Sequence, residues 1–169
     1  MRRIALAGML ASLAIGLVAA PAMATNPKAD TPPDSVLEFA AGDVCEFAVM
    51  LEGWSNERVR IVQRNGLETT VITGNARTRV TRLDETGGSV LLVTGGRVAI
   101  SEPGDDTSRA TAHGRTLFYF FPGDQTPAGE GSGLFLVIGS VHQTLDLNQN
   151  LVTVFDLAGR YRDICAELA

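Results

Sequence analysis

Lysine is almost missing from this chain of 169 residues: Lys28 is the only one, and all other basic side chains that never lose their charge are arginine. Histidine and cysteine occur twice each, as His113 and His142 and as Cys45 and Cys165. Neither histidine has a further ligand at metal spacing, so no zinc set can be assembled, least of all if the cysteines are oxidised. The cysteines lie too far apart for a two-residue redox motif. No G-x-S-x-G elbow is present, and Ser132 in "GEGSGLF" has no identifiable base, so acyl-transfer chemistry has no nucleophile to start from. Glycine-rich stretches such as "TGG" lack both the spacing and the following helix of a phosphate cradle. Acidic residues number 19 against 14 basic ones, for a net charge of −5, which gives nucleic-acid binding little electrostatic support. After the first twenty or so positions no apolar run is long enough to cross a bilayer.

What is there begins with an export signal. Arg2 and Arg3 precede an apolar stretch over residues 4–20, and "PAMA" places Ala22, Met23 and Ala24 in an A-x-A cleavage pattern. A signal helix over residues 1–24, removed after Ala24, is expected; an uncleaved anchor is the alternative, weakened by Gly8, Ser12, Gly16 and Pro21. Residues 25–42 read as a tether with Pro27, Pro32 and Pro33, and Ser35 with Glu38 forms a capping-box pattern that predicts a short helix over 36–41. Residues 43–169 make one domain, long enough to bury roughly two-thirds of its unfolded surface. The location implied is secreted, either extracellular or associated with the cell envelope. In such a compartment two cysteines can stay joined, and each lies near one end of the folded segment, as expected if the first and last strands are neighbours. We expect a Cys45–Cys165 bond; two separate core thiols are the alternative.

From Asp43 onward, runs rich in Val, Ile, Thr, Leu and Phe alternate with turn signals every 8 to 12 residues or so, the signature of an all-β domain. In "RVRIVQRNGLETTVITG", Asn65-Gly66 supplies a two-residue hairpin turn, and alternation puts Val59 and Ile61 on a core face with Arg58, Arg60 and Arg64 on a wet one. Further strands read as 76–83, 89–94, 97–101 and 108–112. Residues 117–121 ("LFYFF") and 134–138 are apolar at consecutive positions, so both of their faces need cover, and "PGDQTPAGEGSG" between them reads as a loop. Ser140 to Asp146 follows a bulge at Gly139, and 151–157 and 160–165 finish the chain. About nine or ten antiparallel strands in a meander must close into a barrel or fold into a sandwich, because open sheets of that size curl or split.

Several stretches carry a resemblance: "CEFAV" opening the first strand, "LVTGG", "GRTLF", "GLFLVIG" and the terminal "GRYRDICAELA". Together they resemble a group of small exported all-β proteins of actinobacteria with a cysteine near each end. The resemblance spans most of the chain from Cys45 onward and implies fold and location; its motifs are structural, and it implies no activity.

Candidate chemistry is therefore sparse. The acidic groups Asp84-Glu85, Asp105-Asp106 and the pair Asp124 and Glu130 read as solvated turn residues, with too few oxygens at calcium spacing and no visible cleft pair. His142 reads as a partly exposed strand residue and His113 as a turn residue. Two features stand out. Arg58, Arg60 and Arg64, joined by Arg77 and Arg79, form a basic strip suited to an anionic cell-envelope polymer or lipid head group. Tyr119 and Phe121, on the strand face opposite Phe118 and Phe120, are candidates to line a small apolar ligand site, meet a partner, or pack under the following loop. No cofactor or catalytic set is implied. The first expectation is a non-enzymatic binding or surface-interaction module; a barrel carrying a small apolar ligand is the alternative, and a hydrolase on a β-scaffold comes third.

Overall fold

A computed structural model describes residues 31–64 and 66–169. The signal helix and residues 25–30 of the tether lie outside the described residues, as do Asn65 and the side chain of Arg64. Eight strands follow one another, β1 (Ser35–Phe39), β2 (Val49–Ser55), β3 (Arg58–Arg64), β4 (Leu67–Arg82), β5 (Ser89–Ser101), β6 (Thr107–Thr126), β7 (Gly129–Asp146) and β8 (Leu151–Asp163), before a short helix, α1 (Ile164–Leu168). All join one antiparallel sheet in the order β1-β2-β4-β5-β6-β7-β8, with β3 pairing β4. The sheet is open, since no ladder joins β1 to β8 among the described residues, which corrects the closed-barrel expectation.

The strand count falls short of nine or ten because several glycines read as strand ends are strand interiors. Gly74 pairs Gly96, Gly96 pairs Gly114, Gly114 pairs Gly139, and Gly139 pairs Gly159, so one glycine from each of five strands stands in a single row across the sheet. The backbones meet too closely there for side chains. A Cβ on Gly114 would stand 2.9 Å from Gly96 Cα, and one on Gly139 would stand 2.9 Å from Gly159 Cα, each closer still to a carbonyl oxygen. On the β2–β3 side the same line falls at Asn56 and Glu57, where the strand breaks and Asn56 exchanges two hydrogen bonds with Asn75, donating to its carbonyl and accepting from its N–H.

The row is a crease. Phe120 lies six residues to one side of it on β6, and Phe155 lies four residues to the other side on β8; on a flat sheet the two would be about 33 Å apart along the strands. Their ring centroids are 5.1 Å apart. The sheet therefore folds sharply toward the face that carries both rings. Phe118, Phe120, Phe135 and Val137 from one side of the crease and Ala112, Val141, Leu145 and Val152 from the other form one core cluster.

Beyond the crease the sheet also divides. The β5–β6 ladder ends at Gly95 and Arg115, so Ser89 to Thr94 pair with β4 alone. One flap holds β1, β2 and the adjoining halves of β4 and β5; the other holds the apolar halves of β6 and β7. A second core fills the wedge between them, with Val49, Leu51, Val80 and Leu92 from the first flap facing Tyr119, Leu134 and Leu136 from the second. The second flap thus has a core on each face, as the consecutive apolar positions of 117–121 and 134–138 require.

Several local expectations are corrected. The segment expected as a helix over 36–41 is largely strand β1, with Leu37 and Phe39 packed on the core and Val36 and Glu38 exposed: period-two burial against β2 overrides the capping pattern. The stretch expected as a final strand over 160–165 stops at Asp163, whose carboxylate accepts from Ala166 N–H at 3.0 Å and starts α1. The segment read as the loop "PGDQTPAGEGSG" is mostly hairpin, β6 running to Thr126 and β7 starting at Gly129, with a bulge after Phe120. Ile61 is 64% exposed, since no element covers the β3 edge of the face it shares with Val59.

Cys45 and Cys165 are bonded, with Cα atoms 5.5 Å apart across 120 positions of sequence. The bond does not join neighbouring end strands. Cys45 lies in the turn between β1 and β2, Cys165 lies in α1, and both pack at the end of the wedge core. In the chain-entropy model, closing a loop on the order of a hundred residues stabilises the fold by about 4 to 5 kcal/mol, less any strain.

Candidate functional site

Side chains next to the glycine row point to the opposite, convex face, because neighbours in a strand alternate. On one flank of the crease the paired positions run Arg58, Thr73, Arg97, His113, Ser140 and Ala158. On the other flank they run Asn75, Gly95, Arg115, Ile138 and Arg160. One row further out come Arg60, Val71, Ala99, Thr111, His142 and Asp156. Arg58, Arg60, Arg97, Arg115 and Arg160 are all exposed, as are both histidines. Asp156 is the sole carboxylate in the three rows.

These guanidinium groups are not spent on the protein's own acids. Among the described residues, ion pairs within 4 Å join Arg79 to Glu52 (3.4 Å), Arg82 to Asp84 (2.6 Å), Arg109 to Asp105 (2.6 Å) and Arg162 to Glu167 (2.5 Å), and none involves the five arginines of the convex rows. Their charge faces water. His113 Nδ1 shares a 2.9 Å hydrogen bond with Ser140 Oγ, and His142 Nδ1 a 3.3 Å bond with Thr111 Oγ1, so the side chains between the arginines are partly fixed by cross-strand bonds. His113 is accordingly a strand residue rather than a turn residue.

The structure redraws the basic strip expected from sequence. Arg58 and Arg60 share the exposed face of β3; the side chain of Arg64 lies outside the described residues. Arg79 is occupied, lying 5.3 Å from the centroid of the Trp54 ring while it pairs with Glu52. Arg77 is half-buried on the same flap, opposite Trp54. Arg97, Arg115 and Arg160, which no local motif marks, take the places beside Arg58. Only the register across β3, β4, β5, β6, β7 and β8 brings them together.

Tyr119 and Phe121 face the wedge core, with Phe39 of β1 at centroid distances of 4.9 and 6.0 Å. Burial pushes the Tyr119 hydroxyl well above its ordinary range. Their cover is β1 and the first flap rather than the segment that follows them.

Two carboxylates are withdrawn from water, one of them, Glu57, without any mark in the sequence. Asp124, expected as a solvated turn acid, is 1% exposed and accepts the N–H groups of Phe121 (2.6 Å) and Val152 (2.8 Å), tying the β6 bulge to the start of β8. Glu57 sits at the strand break beside Gly74, and its Oε2 is buried with no hydrogen-bond partner. Burial raises its pKa. At the exposed turns, Asp84 is held down at about 2 by hydrogen bonds from Arg82 and Thr86, and Asp105 is lowered by Thr107 and then by the charge of Arg109. No group of three or more His, Cys, Asp or Glu side chains among the described residues is placed to hold a metal ion. No helix among them is long and apolar enough to cross a membrane.

What remains chemically is an array of guanidinium forks at positions set by the strand register, each able to take a carboxylate, sulfate or phosphate bidentately. No family model matches the chain, and neither a curated protein nor a solved structure is detectably similar to it.

Proposed function

We propose that the protein is an exported, non-enzymatic binding module that engages an anionic partner at the cell surface through the convex face of its sheet. One observation carries the reading: five exposed arginines, none of them ion-paired among the described residues, share three adjacent rows that hold one carboxylate, on a chain whose net charge is −5. Such segregation opposes the chain's overall charge and concentrates a positive field on one surface. The leader read over residues 1–24, the disulfide and the resemblance to exported β-proteins support the location. The aromatic residues of 117–121 are packed in the two cores, so the carrier reading has no observation in its favour.

The test is co-sedimentation of the mature protein with isolated cell-envelope material at low and raised salt. Wild-type protein is expected to sediment and to be released as salt rises. The triple variant Arg58→Ala, Arg97→Ala, Arg115→Ala is expected to stay in solution. Equal sedimentation of the two proteins would overturn the proposal.

A further inference from the structure

The arrangement of the arginines says more than that the partner is anionic. Arg58 on β3 and Arg97 on β5 occupy one cross-strand row, two strand intervals or about 10 Å apart. Arg115 on β6 is one interval and two residues further, about 8 Å, and Arg160 on β8 lies another two intervals beyond, about 10 Å. These four exposed side chains form a line that crosses the strands along the crest of the crease, roughly 24 Å from end to end. Between the guanidinium groups it carries Thr73, His113 and Ser140, which can donate and accept hydrogen bonds, together with Ile138 between Arg115 and Arg160.

We infer that the ligand is a linear acidic glycan, laid lengthwise along this crest and perpendicular to the strands, with its negative charges spaced by one repeat and its hydroxyl groups between them. The inference rests on the binding-module reading and narrows it. A single anion would use one arginine at a time and gain nothing from the line. A densely charged chain such as polyphosphate would leave most of its charges between the forks, whereas a sugar backbone carrying one acid group per repeat matches both the charge period and the hydroxyl-bearing intervals. Arg60, one row off the line, contributes general attraction only.

The experiment measures binding of the intact mature protein to hyaluronan oligosaccharides of graded length, which carry one carboxylate per disaccharide, with sodium sulfate and phosphatidylglycerol vesicles as separate probes. Affinity should climb steeply with length until the oligosaccharide spans the crest and then level off. Arg58→Ala and Arg160→Ala, at opposite ends, should each weaken the long oligosaccharide about tenfold while leaving the single disaccharide unchanged, and Arg60→Ala should do less. All three positions are exposed, and circular dichroism would confirm that the variants fold. Affinity independent of length, or end variants that bind the long chain like wild type, would overturn the linear ligand and leave an anion-binding face. Binding to the vesicles but not to the oligosaccharides would replace the glycan with a lipid surface. Failure of every anionic probe would remove the binding-module reading itself.

Discussion

Strand β6 passes through two different environments on either side of Gly114. Before it, residues 107–113 alternate, with Ser108 and Ala112 buried on the inner face and Arg109 and His113 exposed on the outer. After it, Leu117, Tyr119 and Phe121 pack on one core while Phe118 and Phe120 pack on the other. One strand therefore serves as a half-wet sheet and as an internal partition. The number of covered faces, rather than strand propensity, sets its residue pattern.

The two regions should respond to truncation very differently. Phe120 is fully buried against Phe118, Phe135 and Phe155, so Phe120→Ala is expected to cost about 3 to 5 kcal/mol in denaturant unfolding, whereas Arg97→Ala on the crest should stay within about 0.5 kcal/mol. Comparable losses at the two sites would mean that the crest supports the fold as well as displaying charge. The boundary between the regions is open to test at Gly114, whose φ of 119° and backbone neighbours leave no room for a methyl group. Gly114→Ala should cost more than about 1 kcal/mol and weaken glycan binding by shifting Arg115, although the substitution removes no contact. A stable variant with unaltered binding would show that the crease tolerates side chains.

The smallest effect is expected at Glu57, where burial without a partner disfavours the ionised carboxylate. Its folded pKa lies above that of the unfolded chain, so the native state binds more protons and stability falls as pH rises through the interval between the two values. Glu57→Gln should flatten that part of the pH–stability curve and raise stability at neutral pH. A curve parallel to wild type would show that the carboxylate is not the group responsible.

Much of this was legible in the sequence and some was not, for identifiable reasons. The all-β class followed from the spacing of turn signals, and the double cover of 117–121 from its unbroken apolar run. Cys45–Cys165 was anticipated from the expectation of export and from position, yet the bond joins a turn to a helix, a geometry that spacing does not encode. Glycines 74, 96 and 114 looked like strand ends because a glycine that breaks a strand and one that lets a continuous strand bend read alike until cross-strand neighbours are known. Register also hid the site. Arg58 and Arg60 are visible together because they share a strand, but Arg97, Arg115 and Arg160 join them only when six strands are laid side by side. Asp124 sits in "PGDQT", whose composition signals a turn and conceals that both carboxylate oxygens are committed to buried backbone N–H groups.

The disulfide has a mechanical consequence. Because it clamps position 45 to position 165, tension applied through the flanking segments passes across the sulfur–sulfur bond and bypasses the chain between them, a sequence separation of 120. Strands β2 to β8, with the whole arginine crest, lie inside that shunt, while β1 lies outside it and is the element exposed to peeling. A force applied at the crest itself would load the sheet directly, but a pull through the segments flanking the two cysteines leaves the arginine rows unstretched.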